Sequence, residues 1–568
     1  MYIDEVPNRN SRPAILLRES RRQGHKTIKN TLANMTDWPR EVVDAIRLVL
    51  KGETLVPKEG VFAIERSVPH GHVEAVLGTL RRLGLEDLIA SKRCRERDLV
   101  VAMVVQRLVA PCSKLATTRE WQDTTLGEEL GVLDASEDEL YAALDWLRAR
   151  QERIENKLAK RHLREGAVVL YDVTSSTYYG RTCPLAAWGH NRDGTKQPCI
   201  AYGLLADREG RPISVDVYEG NTGDPATIPG QVDKLRSRFG LSRVVLVGDR
   251  GMLTETQIDP LRERPGLGWI SALRSEAIRG LVASGELQLS LFDEQNLAEI
   301  TSADFPGERL MACYNPLLAD DRRRTRTELV DATEKRLTQI AAEVQRRTRT
   351  PLKADAIGVK VGKVINHYKV GKHFRLTIAD NHFAFERDEA AMAQEAQLDG
   401  IYVVRTSEAR RVISEQDAVR AYKSLSQVEQ AFRCLKGVDL RVRPIHHRTA
   451  DHVRGHVFLC MLAYYVEWHL RRDLASVLFE DEEVDAARAT RDPVAQATPS
   501  ESAKRKKATH RTSEGWPVHS FQSLMKTLGT RCKNTCRAGN EKTHATFHEL
   551  TEPTPFQAHI LHRLGLSP

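Results

Sequence analysis

Long hydrophobic runs are missing from this sequence of 568 residues. The apolar run FLCMLAYYV at residues 458–466 is followed by Glu467 and is much shorter than the roughly 20 residues of a membrane-spanning helix. The opening stretch MYIDEVPNRN contains acidic residues and no apolar segment, so it does not resemble a secretory signal. We therefore expect no membrane span and a cytoplasmic location.

Cysteine is also scarce, with nine residues spread along the chain. This scatter is typical of reduced thiols rather than of a disulfide framework. One group, Cys532, Cys536, His544 and His548, has the residue types of a zinc site. Its central gap is shorter than the roughly 12 residues of a zinc finger, so we favour a β-hairpin that turns at the Gly-Asn pair and has Phe547 in its second strand. Zinc binding is the alternative.

A strong excess of one charge is absent as well. Lys and Arg number 85 against 77 for Asp and Glu, and the isoelectric point is near 8.9. This balance excludes a histone-like protein, and nucleic-acid binding would have to depend on local basic clusters. A chain of this length exceeds what one hydrophobic core usually supports, so we expect three or more domains, with no internal repeat.

The amino-terminal part divides into a basic module and a helical region. In residues 1–60 the β-like runs PAILLRESRR and HKTIKNTLANM meet at Gly24 and are rich in Arg and Lys. They predict either a DNA-contacting module or an ordinary basic hairpin. Residues 61–164 show helical periodicity, and Ser136 followed by Glu139 has the pattern of a capping box.

A β-rich core is predicted from residue 165 to residue 262. The run AVVLYDV delivers Asp172, and two strands joined by an EGRP turn follow. A helical segment at residues 225–239 precedes the run SRVVLVGD, which ends in Asp249. The predicted order is three strands, a helix and a strand.

The remaining chain is predicted to hold an insertion, the end of the core and a tail. Residues 263–416 contain a long helix and β-like stretches that do not continue the core pattern, so we interpret them as an insertion. Residues 417–475 return to the core with an acidic helix and a buried helix. Residues 476–568 change from acidic to basic polar composition, which predicts a linker and a carboxy-terminal tail.

The acidic helix SLSQVEQAFRCLK has two faces. Leu425, Val428, Phe432 and Leu435 recur at helical spacing and form an apolar stripe. The neighbouring stripe consists of Tyr422, Ser426, Glu429, Arg433 and Lys436. That stripe is either a solvated, salt-bridged face or a functional site.

Three carboxylates stand out by position: Asp172, Asp249 and Glu429. An acidic residue inside an apolar strand needs a partner or a metal. Mg²⁺ prefers carboxylate oxygens, and two such ions about 4 Å apart serve phosphodiester chemistry. The three carboxylates are therefore a candidate metal site.

Several motifs follow in an order that resembles a known family. YKSLSQVEQAFRCLK matches the signature Y-x2-R-x3-E-x6-K at Tyr422, Glu429 and Lys436, with Leu425 in place of the arginine. The segments YDVTSSTYY, EGNTGDP, GDRGM, DGIYVVRTS and RPIHHRTADHVRGHVFLCMLA accompany it. Over most of residues 160–475 the sequence resembles insertion-sequence DDE transposases with an RNase H-like catalytic domain.

The resemblance implies a fold and a reaction. The fold class is α/β, with an RNase H-like core of mixed sheet and flanking helices that is interrupted by a β-rich insertion. The enzyme would bind the terminal inverted repeats of its element, cleave the DNA ends and join them to target DNA by two-metal phosphoryl transfer. Asp172, Asp249 and Glu429 would be catalytic and would hold Mg²⁺, for which Mn²⁺ can substitute.

The implied partners are double-stranded repeat and target DNA and, in the DNA complex, a second copy of the chain; no membrane is involved. When bound to DNA, the protein would be associated with the nucleoid. The candidate DNA contacts are Tyr422, Lys436, Arg433, Arg250 and Lys196. Arg420, Lys423 or Arg433 could take the role of the arginine that Leu425 replaces.

Two other classes stay open at this point. An RNase H-like nuclease or junction resolvase would share the carboxylates but would need no strand transfer. A non-catalytic DNA-binding protein derived from a transposase would need none of them. Trp188 or Tyr402 could stack on a base, although aromatic residues in a sheet are more often part of the core, and we interpret His446 and His447 as structural.

Overall fold

A computed structural model describes the chain except for residues 9–11, 25, 54–61, 294, 485, 488–490, 539–545 and 568. The chain forms two compact units. The first unit combines Met1–Pro69 with Arg531–Glu552, and the second combines His70–Thr530 with Pro553–Pro568.

The strands are numbered in chain order. They are β1 (Tyr2–Val6), β2 (Ala14–Gln23), β3 (Lys26–Asn34), β4 (Phe62–Pro69), β5 (Ala167–Thr177), β6 (Cys199–Asp207), β7 (Pro212–Glu219), β8 (Val244–Val247), β9 (Leu267–Ala272), β10 (Leu297–Ile300), β11 (Arg309–Tyr314), β12 (Phe374–Ala379), β13 (His382–Arg387), β14 (Ile401–Thr406), β15 (Cys532–Ala538) and β16 (Thr546–Leu550).

The α-helices are numbered in the same way. They are α1 (Arg40–Leu50), α2 (Gly71–Arg82), α3 (Leu85–Ile89), α4 (Arg95–Val109), α5 (Lys114–Glu120), α6 (Leu126–Leu130), α7 (Glu137–Arg148), α8 (Gln151–His162), α9 (Ile228–Asp233), α10 (Glu255–Arg262), α11 (Ser275–Ala283), α12 (Pro316–Arg346), α13 (Ala354–Tyr368), α14 (Glu389–Ala396), α15 (Glu415–Lys423), α16 (Leu425–Lys436), α17 (Ala450–Asp473), α18 (Glu501–Thr509), α19 (Phe521–Gly529) and α20 (Pro555–Arg563).

The first unit contains two small antiparallel sheets. One has the order β1-β2-β3, and its pairing of β2 with β3 confirms the predicted amino-terminal hairpin. The other has the order β16-β15-β4. The pairing of β15 with β16 confirms the second predicted hairpin, with Phe547 opposite Cys536; its Gly539-Asn540 turn and His544 lie outside the described residues. Strand β4 comes from the other end of the chain, so this sheet joins both terminal regions.

The helical region predicted for residues 61–164 contains α2–α8 from Gly71 onward, but its first part is wrong, because Phe62–Pro69 form strand β4 of the first unit. The capping box of α7 is present: Glu139 N–H donates to Ser136 Oγ at 3.3 Å, and Ser136 N–H donates to Glu139 Oε2 at 2.9 Å. Among the described residues no single helix is long and apolar enough to cross a membrane. Helices α4 and α5, which are bent by 88° at the break between them, are together long and apolar enough, by length and composition alone.

The second unit is built on an eight-stranded sheet with the order β10-β11-β14-β9-β8-β5-β6-β7. Strand β5 is antiparallel to β6 and parallel to β8, and β8 is parallel to β9. Leu170 and Tyr202 belong to the core that includes α16 and α17, whereas Val169 and Tyr171 belong to the core on the opposite face. Because both faces are covered, the central strands are continuous apolar runs.

The segment predicted as an insertion is only partly separate from this sheet. Strand β9 pairs in parallel with β8, and β14, β11 and β10 extend the sheet further by antiparallel pairing. Two hydrophobic cores lie within the segment. One is formed by α11 with β10, β11 and β14, around residues such as Leu281 and Leu310. The other forms where α12 and α13 pack with the β12–β13 hairpin, around residues such as Leu337 and Phe383. The strands that join the sheet are short and buried, and their sequence does not show which sheet they join.

The prediction of a linker and tail at residues 476–568 is wrong for much of that segment. Ser500 caps α18, whose basic run includes the buried Lys506. Its ammonium group donates to the carbonyls of Ala475 and Glu480 at 2.7 and 2.6 Å. The apolar sides of α19 and α20, including Leu524 and Ile560, lie in the main core. Short amphipathic helices buried in this way resemble a polar linker in composition.

Candidate active site

The first two carboxylates are aligned by the parallel pairing of two central strands. Leu170 of β5 lies opposite Val247 of β8. Asp172 and Asp249 each follow two residues later, at equivalent positions on strands about 4.8 Å apart. Asp249 leaves the strand in a turn, where its carbonyl accepts from the backbone of Met252 at 2.9 Å. The sheet thus places Asp249, just past the end of β8, beside Asp172 in the middle of β5.

The third carboxylate comes from helix α16, which lies against the same side of the sheet. The apolar stripe predicted for this helix is buried at Val428, Phe432 and Leu435, which leaves Glu429 exposed. Asp172, Asp249 and Glu429 line one cleft of about 790 Å³. The structure therefore brings together three residues that are separated by up to 257 positions in sequence.

The carboxyl group of Asp172 is the most perturbed of this set. Burial, together with the negative charges of Asp249 and Asp224, raises its pKa to about 7. A hydrogen bond from the backbone of Val173 at 2.8 Å and the charge of Arg192 oppose this rise. Removal from water and a like charge both disfavour the ionised form, so a cation at this position would relieve the cost of ionising Asp172.

Tyr422 reaches the cleft from the preceding helix. The predicted acidic helix is present as α16, but Tyr422, which we assigned to its polar stripe, lies in α15, and the two helices meet at Ser424. The Tyr422 hydroxyl lies 3.4 Å from Asp249 Oδ1 and donates to it. Burial raises the pKa of Tyr422, and the charges of Asp249 and Glu429 add to the rise. Tyr422 therefore remains a neutral donor beside the carboxylates.

The donor chemistry of the cleft fits a divalent cation. Three carboxylates supply the oxygen ligands that Mg²⁺ prefers. In the described part of the chain, the only three potential ligand atoms that all lie within 4.8 Å of one another belong to Cys434, Asp439 and Glu467. The cleft carboxylates are therefore spaced more widely as a set. At that second group Arg471 already donates to Glu467 at 2.6 Å and to Asp439 at 3.0 Å. Its guanidinium group therefore already supplies a positive charge to these carboxylates.

The predicted DNA contacts lie in different environments. Lys436 and Arg433 line the cleft, whereas Arg250 and Lys196 are exposed outside it. Lys436 donates to the carbonyl of Ser175 and, at 3.2 Å, to Asp193. Burial is the main reason that its pKa is lowered, and Asp193 opposes that effect.

Leu425 stands where the family motif has an arginine, and three nearby basic residues could take the role of that arginine. Arg420 donates to Asp417 and to the carbonyl of Arg491, at 3.1 and 3.2 Å. Lys423 donates to the carbonyl of Val494 at 2.9 Å and to that of Ala495 at 3.2 Å. Arg433 is exposed, and within the described ranges its side chain has no ion pair. Arg433 is therefore the most available of the three.

Sequence reasoning missed four charged residues around the cleft: Arg192, Asp193, Asp224 and Arg443. Arg192 pairs with Asp224 at 2.5 Å, and Arg443 pairs with Asp193 at 2.8 Å. Asp224 lies within the EGNTGDP segment, and that motif could have identified it from the sequence. No spacing rule connects Asp193 with Arg443, because they are 250 residues apart.

The remaining candidates lie beside the site. Trp188 is 70% exposed, whereas the Tyr402 hydroxyl is buried without a hydrogen-bond partner among the described residues. Burial lowers the pKa of His447 to about 3, and its ring lies 4.7 Å from that of His456. His446 lies 5.8 Å from the ring of Tyr179.

The comparisons with known proteins give the same class as the motifs and the cleft. A family model described as the transposase DDE domain matches residues 164–466, which is more than half of the chain and includes all three carboxylates. The protein therefore belongs to the DDE transposases of insertion sequences. No curated protein matched the sequence.

Proposed function

We propose that this protein is a transposase that binds the terminal inverted repeats of its insertion sequence, cleaves the DNA ends and joins the freed 3′ hydroxyls to target DNA. The observation that carries the proposal is the cleft in which Asp172, Asp249 and Glu429 meet Arg433 and Lys436. Carboxylates suit divalent cations, and the basic groups suit the phosphates of the DNA strand.

The proposed catalytic core is RNase H-like. The strand order β9-β8-β5-β6-β7, with β6 alone reversed against its neighbours, supports this assignment. In such a core the carboxylates on the two central parallel strands and on the covering helix face one another. The helical module around α12 and α13 would be an insertion between the second and third carboxylates.

Each cleft residue has a role in the proposed chemistry. Asp172, Asp249 and Glu429 would hold Mg²⁺ or Mn²⁺, which when bound supplies activation of the attacking oxygen and stabilisation of the leaving oxygen. Tyr422 fixes the orientation of Asp249 through its hydroxyl hydrogen bond. Lys436 and Arg433 hold the phosphate backbone of the cleaved strand by charge-assisted hydrogen bonds.

The test is a DNA cleavage and joining assay with Mg²⁺ on duplexes that carry the repeat ends of the element. We expect cuts at the repeat ends and strand-transfer products from the native protein. Asp249→Asn should abolish both reactions and leave repeat binding within about threefold, because phosphate contacts rather than carboxylates supply affinity. Asp259→Asn, at an exposed position of α10 paired with Arg262, is the matched control and should react normally.

The same assay separates the alternatives. Cleavage without strand transfer would favour an RNase H-like nuclease or resolvase, and repeat binding without cleavage would favour a non-catalytic DNA-binding protein. We further propose that two copies act together on paired DNA ends, in the cytoplasm and at the nucleoid. Sedimentation of the protein with and without repeat DNA tests the pairing.

A further inference from the structure

Asp193 makes a set of contacts that the proposed reaction does not yet explain. It lies in the loop between β5 and β6, and its side chain is 6% exposed. One carboxylate oxygen accepts from the backbone N–H of Thr177 at 2.8 Å. The other accepts from Lys436 Nζ at 3.2 Å and pairs with Arg443 at 2.8 Å.

These contacts join three parts of the cleft wall. Thr177 is the last residue of β5, the strand that carries Asp172. Lys436 is the last residue of α16, the helix that carries Glu429. Arg443 lies in the segment after that helix and also donates to the carbonyl of Lys436 at 3.1 Å. One carboxylate thus connects the strand of Asp172 with the helix of Glu429.

The charges around Asp193 do not cancel. One carboxylate faces two cations, Lys436 and Arg443, and all three residues line the cleft. One positive charge remains beside the candidate metal ligands, where a phosphate of the substrate could balance it. An ammonium group has three N–H donors, of which Lys436 uses one for Ser175 and one for Asp193. The third stays available for a ligand.

We propose that Asp193 is a positioning residue that holds the ammonium group of Lys436 at the cleft, where it binds a phosphate of the cleaved DNA end. Asp193 itself does not touch the DNA in this arrangement and acts through Lys436. The inference rests on the proposed function, because the ligand of Lys436 is a phosphate of the transposase substrate. Replacing the carboxylate by an amide in Asp193→Asn would remove the charge and keep the shape.

The first experiment measures the contact without DNA. The full-length protein and Asp193→Asn are treated with an amine-acylating reagent, and the rate at which Lys436 reacts is followed by mass spectrometry. We expect Lys436 to react at least about fivefold faster in the variant, because it loses a charge-assisted hydrogen bond. An unchanged rate would overturn the positioning role. If wild-type protein neither cut nor joined DNA, the proposed function would fail, and this result would still stand.

The second experiment measures the coupling to the reaction. Asp193→Asn should slow single-turnover cleavage by about tenfold or more, with affinity for uncut repeat DNA within about threefold. In a double-mutant cycle, Asp193→Asn combined with Lys436→Ala should be little slower than Lys436→Ala alone, because one residue acts through the other. Losses that multiply would show that Asp193 acts independently of Lys436, against the proposal.

Asp207→Asn is the matched control for structural damage. The Asp207 side chain is also 6% exposed, and it accepts from the backbone and guanidinium of Arg211, at 2.9 and 2.7 Å, outside the cleft. It should lower the melting temperature without slowing cleavage well below that temperature. Should Asp193→Asn fail to fold, Asp193→Ser removes the charge with a smaller side chain; it should give the same faster labelling and slower cleavage, and wild-type values in both would contradict the proposal.

Discussion

Asp172 differs from a surface aspartate because its carboxyl group is partly buried and faces the charge of Asp249. Its pKa of about 7 in the folded chain exceeds the value of about 3.9 expected in the unfolded chain. The unfolded state therefore loses this proton first as the pH rises. The contribution of Asp172 to stability is present below about pH 4 and is lost as the pH rises through about 7.

Asp172→Asn should consequently be more stable than wild type at pH 8 in the absence of divalent ions. The difference should shrink as the pH falls from 7 to 4 and is at most about 4 kcal/mol, since each pKa unit corresponds to about 1.4 kcal/mol. Mg²⁺ should raise the melting temperature of wild type and not that of the variant, because only the native site binds it. Thermal unfolding at several pH values measures both effects; parallel pH profiles for the two proteins would refute this explanation.

Arg433 should contribute more to DNA cleavage than Arg420. Arg433 is exposed at the cleft, whereas Arg420 is held by Asp417 and by the carbonyl of Arg491. Arg433→Ala should slow cleavage by about tenfold, the effect of losing one charge-assisted hydrogen bond. Arg420→Ala should change the rate by less than about threefold. Single-turnover rates compare the two, and the reverse ranking would assign the role of the missing motif arginine to Arg420.

The residues of the site were predictable to different degrees. Asp172, Asp249 and Glu429 could be selected because each occurs in a short motif, and the structure places them in one cleft. Asp193 and Arg443 could not be selected, because their contact joins positions 250 residues apart and has no local pattern. Lys436 is identified by its spacing from Glu429, and only the structure shows that Asp193 accepts from one of its donors.

Local sequence patterns predicted which helices and strands form better than they predicted where each of them packs. The long helix α12 and the buried helix α17 were visible in the sequence because helical periodicity repeats over several turns. The membership of β9 and β14 in the central sheet was not visible, since pairing between distant strands leaves no periodic signal in either one. Helices α18–α20 were mistaken for a tail because they are short and partly polar.

Helix α20 should be essential for the fold of the second unit. Ile560 is fully buried in the main core, and shortening a buried Ile to Ala usually costs about 2–5 kcal/mol. Ile560→Ala should lower the free energy of unfolding by that amount, measured by chemical denaturation. His562→Ala, at an exposed position of the same helix, is the control. Equal and small effects of both changes would indicate that α20 is a dispensable tail.

At the scale of the whole molecule, the first unit draws on both ends of the chain. Strand β15 pairs with β4 across a sequence distance of more than 450 residues. A truncated chain that begins at His70 would lack β4 and leave β15 without one partner strand. Repeat-binding experiments with such a truncation would therefore combine a loss of contacts with a loss of structure. Point substitutions in the basic hairpin separate the two.

Arg22 and Lys26 are exposed on the β2–β3 hairpin, and within the described ranges neither forms an ion pair. We predict that they contact DNA phosphates during repeat binding. Arg22→Ala with Lys26→Ala should weaken binding and reduce the slope of log affinity against log salt by about 1.8, since each phosphate contact contributes about 0.9. Arg375→Ala, which removes a guanidinium paired with Asp388, should leave the slope unchanged. An unaltered slope in the double variant would exclude the hairpin as a phosphate-binding element.

The central claim is that Asp172, Asp249 and Glu429 together bind divalent cations. Crystals grown with Mn²⁺ and measured at its absorption edge would locate the ion directly. We predict Mn²⁺ in the cleft, bound by Asp172 and Asp249 and, where two ions bind, a second ion about 4 Å away that Glu429 ligates. Two results would contradict this claim. One is Mn²⁺ bound only at Cys434, Asp439 and Glu467. The other is a separation of more than roughly 10 Å between the three cleft carboxyl groups, which is too far for them to share such ions.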